Sequence, residues 1–349
     1  MHMKEYEQEI EYEPDYRRRR PPARGRKRKK RPNIILPVLV ILVGGIFIIW
    51  WQFFRDTEYA MPVIAAQREE VPTNSLADVL TRESADVPVN ESVDETIAAQ
   101  PEEPIEEQGL SLVSTPRTQL RDTGYLKLVN RNLAKSRPTD PGYMVQAWPT
   151  VPVRASYITV HQTLLNALYS LFTDGEQIAD FFVTSGYRGV DRQREIYQNS
   201  TNRLYVMPPG HSEHHLGLAA DILAPGIPLS SAAMSGTPEA IWLAENAWRH
   251  GMILRYPYGT THITEVAYEP WHFRYVGRIH AWYMTDNGMV LEEYLAYLEA
   301  QGGFTTVLDG VTYHVMYQRP VNYHLYVPSN LEFNVSASNR GGYVITAWE

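Results

Sequence analysis

Ser212 to Asp221 reads SEHHLGLAAD, and two other stretches belong with it: SGYRGVDRQ from Ser185 to Gln193 and EPWHFRY from Glu269 to Tyr275. In the first, Gly217 permits a tight turn after His214, and the small Ala219 and Ala220 lead to Asp221 with little bulk. In the last, Glu269 and His272 are separated by Pro270 and Trp271. Strand residues three apart point to opposite faces, so both reach one cavity only if Pro270 breaks the alternation. Glu269 is therefore expected at a turn and His272 on the strand that follows, with Trp271, Phe273 and Tyr275 on a core-packing face.

His214, Asp221, His272 and Glu269 supply three nitrogen or oxygen donors and one spare carboxylate. A catalytic zinc ion takes three such protein ligands, keeps a fourth position for water, and needs a base that is not itself a ligand. His211 and His215 flank His214, and either is an alternative ligand or an orienting partner. Arg188 follows Ser185-Gly186-Tyr187 at a strand end. It is either a surface charge or a guanidinium that reaches a substrate carbonyl or carboxylate. The chain has no cysteine, which excludes thiolate zinc fingers, iron-sulfur clusters and cysteine nucleophiles.

The first third of the chain reads differently. Arg17 to Arg31 holds eleven Lys or Arg residues, and Ile34 to Phe54 is an apolar run of 21 residues ending in Trp50, Trp51, Phe53 and Phe54. At about 1.5 Å per residue such a run spans roughly 30 Å, one hydrocarbon core. It is longer than the apolar part of a typical signal peptide and lacks small residues at its end. A single transmembrane helix at 33–54 is expected, with a basic cytoplasmic tail at 1–32 and everything after Arg55 outside the cell membrane. An acidic, Pro-containing linker at 55–119 reads as a disordered stalk. Residues 33–349 carry 20 Lys and Arg against 34 Asp and Glu, a formal charge of −14, which argues against nucleic acid as a partner.

Residues 120–300 form the expected catalytic domain. YLKLVN from Tyr125 reads as a short strand, Val160–Phe172 has helical apolar spacing, Phe181–Thr184 is a buried strand and Val190–Tyr197 an amphipathic helix. Thr237-Pro238-Glu239 marks a helix start with Thr as N-cap, and Gly251 marks its end. Met252–Arg255 and Trp271–Val276 are further strand candidates. The irregular alternation points to an α+β fold with a small, mainly antiparallel sheet flanked by helices. Residues 301–349 form a β-rich extension, either a small subdomain or a continuation of the main sheet.

SGYR with Gln193, the S-x-H-x-x-G-x-A-x-D pattern from Ser212 and E-P-W-H-F-R-Y from Glu269 together resemble the VanY-type D-alanyl-D-alanine carboxypeptidases of the LAS group of metallopeptidases. The resemblance covers about residues 124–300. It implies zinc held by His214, Asp221 and His272, Glu269 as general base and Arg188 as transition-state stabiliser, with Ser212, Gln193 and Arg188 contacting substrate. It further implies a D,D-carboxypeptidase that removes the terminal D-alanine from peptidoglycan stem peptides, and the apolar run Ile34–Phe54, read from composition, adds the expectation that it is membrane-anchored and extracytoplasmic. Alternatives are an L,D-carboxypeptidase or endopeptidase of the same fold, or a non-catalytic cell-wall-binding module. The spare carboxylate Glu269 counts against the last, because a structural metal site needs no base.

Overall fold

A four-stranded sheet in the order β5-β6-β8-β7 carries the three motifs. Its strands are Phe182–Ser185 (β5), Ala219–Leu223 (β6), Met252–Leu254 (β7) and His272–Tyr275 (β8), and every neighbouring pair is antiparallel. The computed structural model describes residues 105–107, 110–134 and 143–349. The expected cytoplasmic tail, membrane span and stalk up to residue 104 lie outside the described residues. Among the described residues no helix is long and apolar enough to cross a membrane.

Strand alternation divides the sheet into two faces. Val183, Ala220, Ile222 and Phe273 point into a core completed by helix α1 (Gln162–Asp174), by Met234 of the one-turn α3 (Ser231–Met234) and by α4 (Pro238–Asn246), while α2 (Val190–Asn199) follows β5 in the chain. Helix α1 buries Leu164, Leu165, Ala167, Leu168 and Leu171, the one-sided spacing that its sequence showed. His161 caps it, accepting from Thr163 N at 3.1 Å. At α4, Thr237 Oγ1 accepts from Ala240 N at 3.2 Å and Pro238 takes the first turn, as the sequence suggested. A 3₁₀ turn at Ala247–His250 then prolongs it to Gly251, at φ +77°.

The helices α5 (Thr261–Thr264), α6 (Arg278–Asp286) and α7 (Leu291–Gln301) follow, and α6 and α7 pack on a second, C-terminal β layer. That layer is a sheet in the order β12-β13-β10-β9, made of Glu332–Ala337, Tyr343–Trp348, Val311–Gln318 and Gly303–Leu308. A third sheet, β1-β2-β11, joins Ile105–Glu107, Leu110–Pro116 and His324–Pro328. Leu110, Leu112, Met316, Leu325, Val327, Val335 and Ile345 fill the space between the two. A two-stranded ribbon of Met144–Gln146 (β3) and Thr159–His161 (β4) completes the strands. The C-terminal strands thus build their own sheets rather than continuing the central one.

Two expectations are corrected. Ordered structure begins before residue 120, because β2 lies inside the stretch read as stalk: its Leu110 and Leu112 are buried by strands more than 200 residues away. YLKLVN is not a strand. Leu126, Leu128 and Val129 are buried, but the carbonyls of Tyr125 and Lys127 are taken by the Arg274 guanidinium at 3.0 and 3.1 Å, where a ladder partner would otherwise stand.

The turn that enters β6 depends on Gly217. The 3₁₀ turn Glu213–Leu216 ends there at φ +69°, and a Cβ would lie 2.3 Å from Met144 Cε. We expect Gly217→Ala to destabilise the fold by about 1–3 kcal/mol, the cost of a left-handed residue plus overpacking. Urea unfolding checks this, and an unchanged midpoint would refute it.

Candidate metal centre and active site

Register places the first two donors. Asp221 on β6 pairs directly with His272 on β8, and Ser185 at the end of β5 pairs with Asp221 on its other side, so the three side chains share one face. A register irregularity between Val183 and Ser185 turns the end of β5 toward that face. His214 arrives from the 3₁₀ turn that precedes β6. Glu269 opens a turn closed by His272 N donating to Glu269 O at 3.1 Å, so the Pro270 break brings Glu269 back to the side of His272. Its carboxylate Oε2 lies 3.6 Å from His272 Nδ1.

Asp221 Oδ1 stands 3.2 Å from His272 Nδ1 and 3.6 Å from His214 Nε2, and the donor atoms of the three residues lie within 4.8 Å of one another. All three side chains are buried. Among the described residues this is the one group that could hold a metal ion. Tetrahedral zinc with bonds of about 2.0–2.1 Å needs donors roughly 3.3 Å apart, which these spacings approach. Asp221 Oδ1 is buried and accepts no hydrogen bond, an orphan that a cation would satisfy. The residues fit the group.

The ring nitrogens are committed in a way that suits ligation. His214 Nδ1 lies 2.7 Å from the Gly186 carbonyl, which can only accept, so Nδ1 carries the proton and Nε2 presents a lone pair. Gly186 is drawn in tightly: a Cβ there would sit 2.4 Å from the Thr159 carbonyl. His215 is excluded as a ligand. Its Nδ1 donates to Arg188 O at 2.6 Å and its Nε2 accepts from Gly210 N at 3.0 Å. His211 donates to Asn130 O at 2.9 Å and stands apart from the donor group.

Arg188, Gln193, Ser212, His214, Asp221, Glu269 and His272 all line one cavity of about 470 Å³. Arg188 is held by Ser185 Oγ at 2.9 Å and Gln193 Oε1 at 2.8 Å. Gln193, a buried residue of α2, also donates from Nε2 to Met207 O at 2.6 Å. Both ends of its amide are engaged, which makes holding Arg188 its clearest task. Ser212 is buried just before the 3₁₀ turn. Tyr205, Val206, Met207, Leu229, Val266 and Trp271 add apolar lining to the same cavity, with the Tyr205 and Trp271 rings stacked at 6.3 Å.

Burial pushes the Glu269 carboxyl up to about 8, with Asp221 adding to the shift and His272 and Arg188 opposing it. Burial would depress His272, but contact with Asp221, Glu213 and Glu269 outweighs it and raises the imidazole to about 9. Burial also acts against charge on Asp221, yet the two histidines hold it well below the usual carboxylate range. At Arg188, burial lowers the guanidinium while Asp221 and Glu269 work the other way.

Sequence reasoning missed a layer behind the ligands. Glu213 is fully buried, and its Oε1 accepts from Arg255 Nε and Arg274 Nη1, each at 2.8 Å. Arg255 in turn grips Glu292 at the start of α7 through two bonds of 2.9 and 2.7 Å. The available signal was Arg274, two residues after His272 on the same face of a strand, because a buried arginine demands a carboxylate. Tyr256 was missed as well; it lines the cavity with its ring 4.8 Å from that of His272.

The three motifs fall within the stretch of the chain that a known family matches. The family model described as VanY, D-alanyl-D-alanine carboxypeptidase, matches residues 157–278. A D-alanyl-D-alanine carboxypeptidase of Enterococcus faecium is 39% identical over 173 residues, 49% of this chain and 55% of that protein. The bifunctional D-Ala-D-Ala dipeptidase and D-Ala-D-Ala carboxypeptidase VanXYC of Enterococcus gallinarum is 30% identical over 186 residues, 50% of this chain and 94% of the enzyme. Among solved structures, the vancomycin resistance D,D-dipeptidase VanXYg in complex with a D-Ala-D-Ala phosphinate analog superposes with a TM-score of 0.60 at 25% identity, over 69% of this chain and 99% of that one. The chain spans about half the length of the first curated relatives that it matches. With nearly the whole of the E. gallinarum enzyme matched, the chain belongs to the VanY family of D-alanyl-D-alanine carboxypeptidases.

Proposed function

We propose that the protein is a zinc-dependent D,D-carboxypeptidase that removes the terminal D-alanine from peptidoglycan stem peptides. The observation that carries this reading is the convergence of His214, Asp221 and His272 with Glu269 beside them, outside the ligand set and facing the same cavity. The D-Ala-D-Ala chemistry named for the enterococcal relatives supplies the substrate class.

His214, Asp221 and His272 would hold the metal. When bound, zinc supplies Lewis acidity that lowers the pKa of its water and polarises the scissile carbonyl. Glu269 would accept a proton from the attacking water and return it to the departing D-alanine amine, a task for a carboxylate with a pKa close to the working pH. The Arg188 guanidinium, fixed by Ser185 and Gln193, faces the same cavity and would offset negative charge on the tetrahedral oxygen. Ser212 would contact the substrate near the metal, and the apolar lining would receive the small alanyl side chains while limiting water.

Location is part of the proposal. The basic stretch before the apolar run Ile34–Phe54 supports a single-pass anchor with the catalytic domain outside the cell. Protease added to intact expressing cells should then remove the catalytic domain and spare the tail. A protected catalytic domain would refute this topology.

Glu269→Gln should lower kcat by about 10²–10⁴-fold with bound zinc unchanged, as read by turnover and metal content. Near-wild-type hydrolysis by that variant would refute the role of Glu269. Incubated with synthetic stems, the protein should release one D-alanine from a pentapeptide and lose that activity with a chelator. Metal-dependent cleavage of a tetrapeptide stem alone would instead select the L,D-carboxypeptidase reading. No cleavage of either stem would leave a wall-binding module.

A further inference from the structure

Glu213 has one oxygen tied down and one aimed at a candidate ligand. Oε1 is fixed by Arg255 and Arg274, and those guanidiniums are fixed in their turn: Arg255 by Glu292, Arg274 by the carbonyls of Tyr125, Lys127 and Tyr275. The carboxylate therefore cannot swing away. Its Oε2 is buried, makes no hydrogen bond, and faces His272 Nε2 at 3.5 Å. His272 Nε2 is equally buried and has no hydrogen-bond partner. The other ring nitrogen, Nδ1, points to Asp221 and Glu269.

With Oε1 taken up by two guanidiniums, Oε2 is the oxygen left to accept from the ring N–H. We infer that Glu213 is a positioning residue: through His272 Nε2 it holds that imidazole in the Nε2–H tautomer and in the rotation that presents an unprotonated Nδ1 to the metal. The same contact makes Nδ1 a stronger donor, as an outer carboxylate does for a metal-bound histidine. His214 is set the opposite way by the Gly186 carbonyl, so the two histidines would bind through different nitrogens. This inference rests on the zinc reading of the site and is independent of which peptide is cut.

The test uses the full chain with Glu213→Gln. Both guanidiniums can only donate, so they would keep the amide oxygen and turn the NH2 group toward His272 Nε2. That nitrogen must then accept, which moves the ring proton to Nδ1, the nitrogen meant for the metal. Zinc affinity, measured by competition with a chromophoric chelator, should fall about 10–100-fold in a variant that keeps its native circular dichroism. A role confined to neutralising the two arginines predicts an affinity within about twofold of wild type, and that result in a folded variant would overturn the inference.

If the variant does not fold, zinc-loaded wild type decides. Its isotope-labelled histidines, followed by long-range proton–nitrogen NMR, should show His272 protonated at Nε2 and metal-bound at Nδ1. Binding through Nε2 would overturn the inference while leaving the proposed peptidase intact. Wild-type protein that takes up no zinc would overturn both.

Discussion

The direct cross-strand pairing of Asp221 with His272 is the constraint on which the site depends. Side chains alternate along a strand, so a slip of one residue in the β6–β8 register would send His272 into the core and Phe273 toward the cavity. Several contacts oppose that slip. Ala220, Ile222 and Phe273 bury the opposite face, Ala219 faces Arg274, and Arg274 is anchored to Glu213 and to three backbone carbonyls. The metal-facing geometry is thus set by apolar burial on one side of the sheet and by charge on the other.

That charged side concentrates carboxylates and guanidiniums in a buried space. Glu213, Asp221 and Glu269 are buried near Arg255, Arg274 and the half-buried Arg188. Ion pairs of this kind add little net stability against a well-packed apolar alternative, and removing one member leaves an unpaired charge that is expensive to keep. Their value here is directional. Arg255 and Arg274 fix Glu213, Arg255 also grips Glu292, and the Gly186 carbonyl fixes His214. Glu292 extends this order to the first turn of α7, so the helix beneath the C-terminal sheet and the metal site share one polar framework.

How much of this was legible in the chain depended on the range of the interaction. Thr237-Pro238 and Gly251 mark the α4 region through local backbone chemistry, and the turn at Glu269 followed from Pro270 alone. The four residues singled out by spacing, and the three added by strand position or by the resemblance, all line one cavity. The choice among His211, His214 and His215 was not decidable locally, since it is made by acceptors such as the Gly186 and Arg188 carbonyls. Glu213 was hidden for the same reason: its arginine partners lie 42 and 61 residues away. YLKLVN has strand composition, but its carbonyls serve a side chain. Strand β2 went unseen because polar and acidic neighbours mask a short alternation whose partner is β11.

Strand β2 also changes where this protein can be cut. The β2–β11 ladder runs from Leu112–Pro328 to Pro116–His324 and stitches the beginning of the described chain to a segment close to its end. A fragment starting at residue 120, the boundary that composition suggests, would strip β11 of its ladder and uncover Leu325 and Val327. It would present an open apolar sheet edge, the feature by which β proteins associate with copies of themselves. A shortened version therefore has to retain the residues from Ile105 onward, and clumping of one that does not would say nothing about the chemistry of the metal site.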